Sequence, residues 1–228
     1  MEWPSEIKEE ILHDLLRTKE TLKQQLYSQK NVVFNHTYQS LWIHFPDGLK
    51  NPSEAISHIK KIYQNRDTQK RSKATKWFVP VCYDTSLGWD LESLSETKEI
   101  TTEEIIKTHT QQLYTLYFIG FLPGFMYLGG LSTLLHSQRR SSPRKVIPAG
   151  AVAIGGSQTG IYPTESPGGW HIIGRTPIPL FDVSATPPCF ANAGDKIQFY
   201  EIGIEEFEAI SEQISIGNFQ LKKELLDG

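Results

Sequence analysis

Apolar residues recur along the first third of the chain with a helical period, then with a strand period, then with a helical period again. Ile7, Ile11, Leu12, Leu15, Leu16, Leu22 and Leu26 stand at helical spacing, the stripe of an amphipathic helix. Two β-like runs follow, Val32 to His36 and Ser40 to Phe45. In the second, Leu41, Ile43 and Phe45 alternate with Trp42 and His44, the period of a half-buried strand. Asn51-Pro52-Ser53-Glu54 marks a helix start: Asn51 can cap, Pro52 suits the first turn, and Glu54 can complete a capping box. Ile56, Ile59, Ile62 and Tyr63 then form one stripe. The order helix, strand, strand, helix predicts two helices packed on a small antiparallel sheet.

Residues 65–76 (NRDTQKRSKATK) carry no large apolar side chain and mark a domain boundary. Trp77 to Tyr83 restarts the chain with a strand, and Thr101-Thr102-Glu103-Glu104 is a second capping box opening a helix to about His109. From Tyr114 to Tyr200 the pattern becomes short apolar runs (LYTLYF, AVAI, WHII, IPLF, KIQFY) separated by Gly and Pro, which predicts a barrel or sandwich. Three segments are therefore expected: an α+β domain over 1–75, a mainly-β domain over 76–204, and a C-terminal tail over 205–228 with a closing helix.

Composition narrows the function classes. With 228 residues, 39% of them hydrophobic and 21% charged, the chain can bury a sizeable core. No apolar run approaches the ~18 residues of a membrane span, and the opening MEWPSEIKEE is not a secretory signal. A net charge of −3 speaks against a dedicated nucleic-acid binder. The basic cluster Lys70, Arg71, Lys73 and Lys76 interrupts no aromatic platform and reads as a solvated linker. Cys82 and Cys189 sit in apolar surroundings, far apart in sequence, and read as reduced, buried thiols suited to the cytoplasm.

The standard catalytic spellings are absent. Gly155 and Gly160 have P-loop spacing, but Ile161 stands where the phosphate-binding Lys belongs. Ser157 is no nucleophile elbow, because Thr159 replaces the needed glycine. The seven histidines are dispersed, so no zinc spacing and no metal site is expected.

Three loops stand out instead. Phe118 to Leu128 places Phe118, Phe121, Phe125 and Tyr127 around Gly120, Pro123 and Gly124. It is either an apolar groove wall, completed by Trp170, or a packed barrel corner. Arg139 to Gly150 puts four cations beside two prolines. Guanidinium forks at Arg140 and Arg144 suit carboxylate or phosphate oxygens, the alternative being a solvated charge run. Gly155 to Thr176 offers Gln158, which can both donate and accept toward an amide. It also offers the Tyr162 hydroxyl, with Glu165, Ser166, His171 and Arg175 nearby in sequence. His171 is a ligand or simply a sheet residue; Arg175 binds an anion or pairs with Asp182. Polar groups on Gly/Pro loops beside an aromatic wall fit a small-molecule site.

In this order the loops resemble the signature of a known family. They match a Phe-rich segment with Gly-Phe-x-Pro-Gly-Phe (Phe118 to Phe125) and a Pro-Arg segment leading to Val-Pro-Ala-Gly (Pro143 to Gly150, with Ile147 in the Val place). Gln-Thr-Gly-Ile-Tyr-Pro (Gln158 to Pro163), Ser-Pro-Gly-Gly-Trp (Ser166 to Trp170) and Gly-Arg-Thr-Pro (Gly174 to Pro177) follow, and Pro80 to Tyr83 matches as well. The family is that of the small (B) subunit of 5-oxoprolinase, allophanate hydrolase subunit 1 and Kip-type kinase inhibitors, the carboxyltransferase domain subdomains C and D. The likeness covers roughly residues 76–200.

The resemblance implies a ferredoxin-like α+β N-terminal domain followed by a mainly-β cyclophilin-like barrel. Members usually begin with a strand before the first helix; this chain starts almost at the helix, which predicts an exposed sheet edge in the first domain. By resemblance the chain is one part of an ATP-dependent lactam hydrolase that opens 5-oxo-L-proline to L-glutamate, inactive alone. Its partners would be a second carboxyltransferase-like subunit and a third lactam-hydrolase-like subunit. ATP would serve the complex, with no complete ATP site in this chain. Two alternatives accompany this reading: a Kip-type inhibitor binding a sensor histidine kinase, and the carboxyltransferase half of a urea carboxylase system. Arg144 or Arg175 would hold a carboxylate or phosphate, and Gln158 and Tyr162 would orient the lactam.

Overall fold

The computed structural model describes residues 1–26, 31–67 and 73–226. They divide into two compact units between Lys73 and Ala74; Lys70 and Arg71 of the basic cluster lie outside the described residues. No helix among the described residues is long and apolar enough to cross a membrane.

The first unit runs α1 (Glu9–Gln25), β1 (Val33–His36), β2 (Leu41–His44) and α2 (Pro52–Gln64). The α1 stripe buries Leu12, Leu15 and Leu22, whereas Ile7 precedes the helix and is exposed. Asn51 caps α2 by accepting from the Glu54 amide at 3.2 Å. β1 and β2 pair antiparallel from Val33↔His44 to His36↔Leu41. Leu41 is buried toward the helices while Trp42, one residue on, is 72% exposed, as the pleat requires. Leu15, Leu22, Leu26, Leu41 and Ile62 form the core. Met1 to Trp3 run antiparallel along the far edge of β2 through Glu2↔Ser40. The Trp3 indole donates to Asp14 at 2.8 Å, and Tyr63 donates to the same oxygen at 3.1 Å. Arg66 closes this cluster with an ion pair to Asp14.

The second unit contains β3 (Ala74–Cys82), α3 (Leu91–Lys98), α4 (Thr102–Gln111), β4 (Leu113–Ile119), β5 (Met126–Gly129), β6 (Arg144–Ile147), β7 (Ala151–Gly155), β8 (Gln158–Ile161), β9 (Ser166–Gly168), β10 (His171–Arg175), β11 (Lys196–Ile202), α5 (Ile204–Ser215) and β12 (Lys223–Leu226). Seven strands close into a barrel in the order β10-β7-β8-β5-β4-β11-β3, with β3 returning to β10 at Arg175↔Cys82. β6 and β9 form a separate ribbon. The expected fold class, an α+β unit followed by a mainly-β barrel, is the one observed. Every barrel strand feeds one core, including Val79, Leu116, Leu128, Ile154, Ile161, Ile173 and Phe199, so this core is the barrel interior.

Three details differ from the sequence expectation. Ile178 to Phe181 (IPLF) is not a strand, because Pro177 and Pro179 supply no ladder donors. The C-terminal segment is more than a tail: β12 pairs with β3 from Lys223↔Trp77 to Leu226↔Ala74. Cys189 is half-buried rather than buried, since it lies in the irregular loop before β11. α3 carries no clear sequence signal, having only Leu91 and Leu94 buried. The second capping box forms in full, with Thr101 and Glu104 each accepting the other's amide.

The core includes a buried polar chain. The Thr159 hydroxyl donates to the Ala153 carbonyl at 3.0 Å. It must therefore accept from His109 Nε2, 3.0 Å away. That assigns the proton to Nε2 and leaves His109 Nδ1 to accept from the Tyr83 hydroxyl at 2.7 Å. The ring stacks on Phe199 at 4.7 Å. Burial pushes the His109 pKa down to about 3. The unfolded chain takes up this proton below about pH 6.5 while the folded one does not. Stability linked to His109 is thus intact above about pH 6.5 and falls by roughly 1.4 kcal/mol per pH unit toward about pH 3. The loss of unfolding free energy between about pH 7.5 and about pH 5.0 is expected to be about 2 kcal/mol larger in the wild type than in His109→Gln, by denaturant titration at both values.

Candidate functional site

Strand alternation gives the barrel a second apolar surface, on its outside. Residues of β5, β7 and β10 that do not enter the interior, with Phe125 and Tyr162 at strand ends, pack with Ile147 and Trp170 as a distinct cluster. Glycines make this possible. A Cβ on Gly155 would stand 2.5 Å from the Trp170 indole, and one on Gly160 would stand 3.0 Å from the same ring. The indole lies directly on the backbone there. The segment with P-loop spacing is thus a tight β7–β8 hairpin, with Gly156 at φ +65°, and Trp170 fills the space over its glycines. It does not fit a triphosphate, whose cradle needs converging free amides.

Aromatic rings extend from this cluster to the surface. Phe125 meets Trp170, Tyr162 and Phe121 edge-on, with centroids 5.7, 5.0 and 5.6 Å apart. Tyr127 meets Trp170 edge-on at 6.1 Å and stacks with Phe118 at 4.3 Å. The rings of this loop divide between packed and surface positions. Phe125 and Trp170 are core residues, Phe118 and Tyr127 are half-buried, and Phe121 is 62% exposed at φ +68°. The Arg139 guanidinium stands 5.8 Å over the Trp170 ring. Burial raises the Tyr127 pKa, and the Arg139 charge opposes it.

Arg140 and Arg144 already hold an anion, and it is the protein's own. Arg144 grips Asp90 with two bonds, Nη1 to Oδ2 at 2.7 Å and Nη2 to Oδ1 at 2.8 Å, and Arg140 Nη1 adds a third at 2.8 Å. The Ile172 amide donates a fourth at 2.7 Å. Burial pushes the Asp90 pKa up, but bonds from Arg144 and Ile172 and the charge of both arginines hold it below the usual carboxylate range. Arg140 and Arg144, expected to bind substrate, latch the β6 segment to the start of α3. Asp90 is the residue that sequence motifs do not reveal. Its one signal, a carboxylate just before a helix, suggests an N-cap, yet its side chain makes no cap bond.

The other predicted residues separate. Tyr162 is buried, its hydroxyl accepts from the Trp170 amide, and burial raises its pKa; it is a packing residue. His171 Nε2 lies 2.9 Å from the Gln138 carbonyl, as a sheet residue tying down the neighbouring loop. Arg175 donates from Nε to the Ala149 carbonyl at 2.8 Å and does not pair with Asp182, which accepts from Ser184 instead. Arg175 and Gln158 face opposite ends of β7, at Ala151 and Gly155. At ~3.3 Å per residue these ends are roughly 13 Å apart along the strand. Gln158 shares its strand face with Gly160, on which Trp170 rests. The residues brought together are therefore Phe118, Phe121, Tyr127, Arg139, Gln158 and Trp170. Among the described residues Arg139 makes no ion pair, and no group of three or more His, Cys, Asp or Glu could hold a metal.

Comparison with known proteins places this geometry. The family described as carboxyltransferase domain, subdomain C and D, matches residues 1–191. The chain is 38% identical over 186 residues to the B subunit of 5-oxoprolinase from Bacillus subtilis (strain 168), covering 79% of this chain and 75% of that protein. It is 50% identical over 127 residues to the protein of the same name from Haemophilus influenzae, covering 56% of this chain and 60% of that one. Among solved structures, that of TTHA0988 superposes with a TM-score of 0.76 at 26% identity, over 89% of this chain and 39% of that chain. This chain thus spans about two fifths of TTHA0988.

Proposed function

The chain belongs to the family of carboxyltransferase-domain subdomains C and D, and from that premise we propose that it is the B-type subunit of an ATP-dependent 5-oxoprolinase. In this reading it works in the cytoplasm with a second carboxyltransferase-like subunit and a third lactam-hydrolase-like subunit, opening 5-oxo-L-proline to L-glutamate. The observation that carries it is its likeness to the 5-oxoprolinase B subunits of two bacteria. The arrangement of that cluster supports a shared site. It offers aromatic rings, a cation and an amide, but among the described residues no metal-ligand group. In this reading ATP serves the complex as a whole. Phosphoryl transfer from ATP to the lactam oxygen, releasing ADP, makes the ring carbon open to attack by water; the C–N bond then breaks with its nitrogen protonated to the α-amino group, and a second water hydrolyses the resulting acyl phosphate to glutamate and phosphate. This chain contributes recognition: Arg139 faces the substrate carboxylate or the transferred phosphate, Gln158 the lactam amide, and Tyr127 with Phe118 the ring face.

The test is glutamate release by three purified subunits with ATP. Omitting this chain is expected to abolish release, and unchanged release without it would remove the reading. Arg139→Ala is expected to reduce release about tenfold or more, the scale of one lost charge-assisted hydrogen bond. Arg175→Ala, at the far end of β7, is expected to leave release within about twofold. Equal losses in the two variants would refute the assignment of Arg139.

A further inference from the structure

The Lys19 ammonium ends against a ring rather than a carboxylate. Lys19 lies one turn past Leu15 on α1 and borders the buried stripe of Leu15, Thr18 and Leu22, so its stem runs along apolar surface. On β1, Phe34 and His36 share the half-buried face, while Val33 and Asn35 are exposed. Lys19 Nζ stands 3.1 Å from His36 Nδ1. An ammonium can only donate, so Nδ1 is the acceptor and the imidazole is neutral. Two cations in contact would repel, so the pair holds one charge between them. Among the described residues Lys19 makes no ion pair. Burial first, and the like charge of Lys23 second, bring the Lys19 pKa down to about 8 against the opposing pull of Glu20.

A half-buried amine with no counter-ion, in hydrogen-bond contact with a base, is an activated nucleophile. We propose that Lys19 is a chemical acylation site, taking acyl groups from small acyl phosphates with His36 as the proton acceptor. As the free base, the amine can donate one N–H to Nδ1 and keep its lone pair for the electrophile. The lone pair forms the new C–N bond at the acyl carbon, and the C–O bond to phosphate breaks with its electrons leaving on phosphate. The proton released by the nitrogen passes to His36 Nδ1 and on to water. The Lys23 side chain, one turn further along α1, carries a positive charge that favours a phosphate donor over an uncharged one. The product is a neutral amide, so the modification removes a positive charge from this face of α1. The inference does not depend on the barrel site.

The test treats the full chain with acetyl phosphate at about pH 7.5, well below the ordinary lysine range, and follows each lysine by mass-spectrometric peptide mapping. Acetylation at Lys19 is expected to be at least about fivefold faster than at Lys23, although Lys23 is exposed and Lys19 is half-buried. The rate at Lys19 is expected to level off as pH rises past about 8. In guanidinium chloride the two rates are expected to converge, because the preference comes from the fold. His36→Gln keeps an acceptor and removes the base; it is expected to slow Lys19 at least about threefold and to leave Lys23 unchanged. Equal rates at Lys19 and Lys23 in the folded wild type would overturn the proposal, whether or not the variant folds. So would a preference that survives in denaturant, which would belong to local sequence. An unchanged Lys19 rate in folded His36→Gln would overturn it as well.

Discussion

Asp90→Ala is expected to lower the unfolding free energy of the barrel unit by roughly 3 kcal/mol, the scale of removing one partner from a largely buried ion pair. Four donors converge on this carboxylate: three guanidinium N–H groups and the Ile172 amide. Asp90 itself is buried, while the Arg140 and Arg144 side chains keep 33% and 22% exposure. Water can therefore reach the orphaned cations in part, which places the loss toward the lower end of the range for such pairs. The loss comes chiefly from stranding two cations and an amide, so Asp90→Ala combined with Arg144→Met should recover part of it. Urea titration of the single and double variants checks both statements. The acid limb follows from the same geometry. The folded Asp90 pKa lies below its unfolded value, so its contribution is present above about pH 4, the unfolded value, and is lost as pH falls through the folded one.

Trp170→Ala is expected to be at least as damaging, at about 3–5 kcal/mol, the range for removing a buried large aromatic. The indole covers Gly155 and Gly160 and supports both Phe125 and Tyr127. Its loss opens a cavity between barrel and ribbon and frees the ring that positions Tyr127. Gly155→Ala attacks the same contact from the other side, since its new Cβ would fall 2.5 Å from the indole. If close packing of ring on backbone is the cause, the double variant is destabilised by less than the sum of the two single changes. Denaturant titrations of the cycle measure that coupling. Additive losses would show that the two residues are not packed against one another.

The two substitutions also separate what is legible in the chain from what is not. Elements with a local cause are readable. The Thr101 capping box and the Asn51 cap depend on residues three apart, and the alternation of Leu41 and Trp42 between buried and exposed depends on neighbours. Linear order also carries family membership, because the Gly-Pro loop motifs succeed one another along the chain. Local reading fails at Ile178 to Phe181, where apolar content suggests a strand and the missing proline donors decide otherwise.

The site is legible only in part, because its electrostatics are non-local. Four cations in seven residues look like an anion site when the nearest acid in space, Asp90, is 50 residues from Arg140 and 54 from Arg144 in sequence. Loop grouping places Gln158 beside Arg175, but the length of β7 keeps them apart. Aromatic content marks the Phe118–Leu128 and Trp170 segments without dividing core rings from exposed ones. Short-range pattern and linear motif were enough to set the helices and strands of the first unit, the caps and the family. The neutralisation of Arg140 and Arg144 within the fold came from tertiary contacts alone. So did the position of Arg139 beside the Trp170 ring. Charge pairing depends on which distant residues close on one another, and chain order does not contain that information.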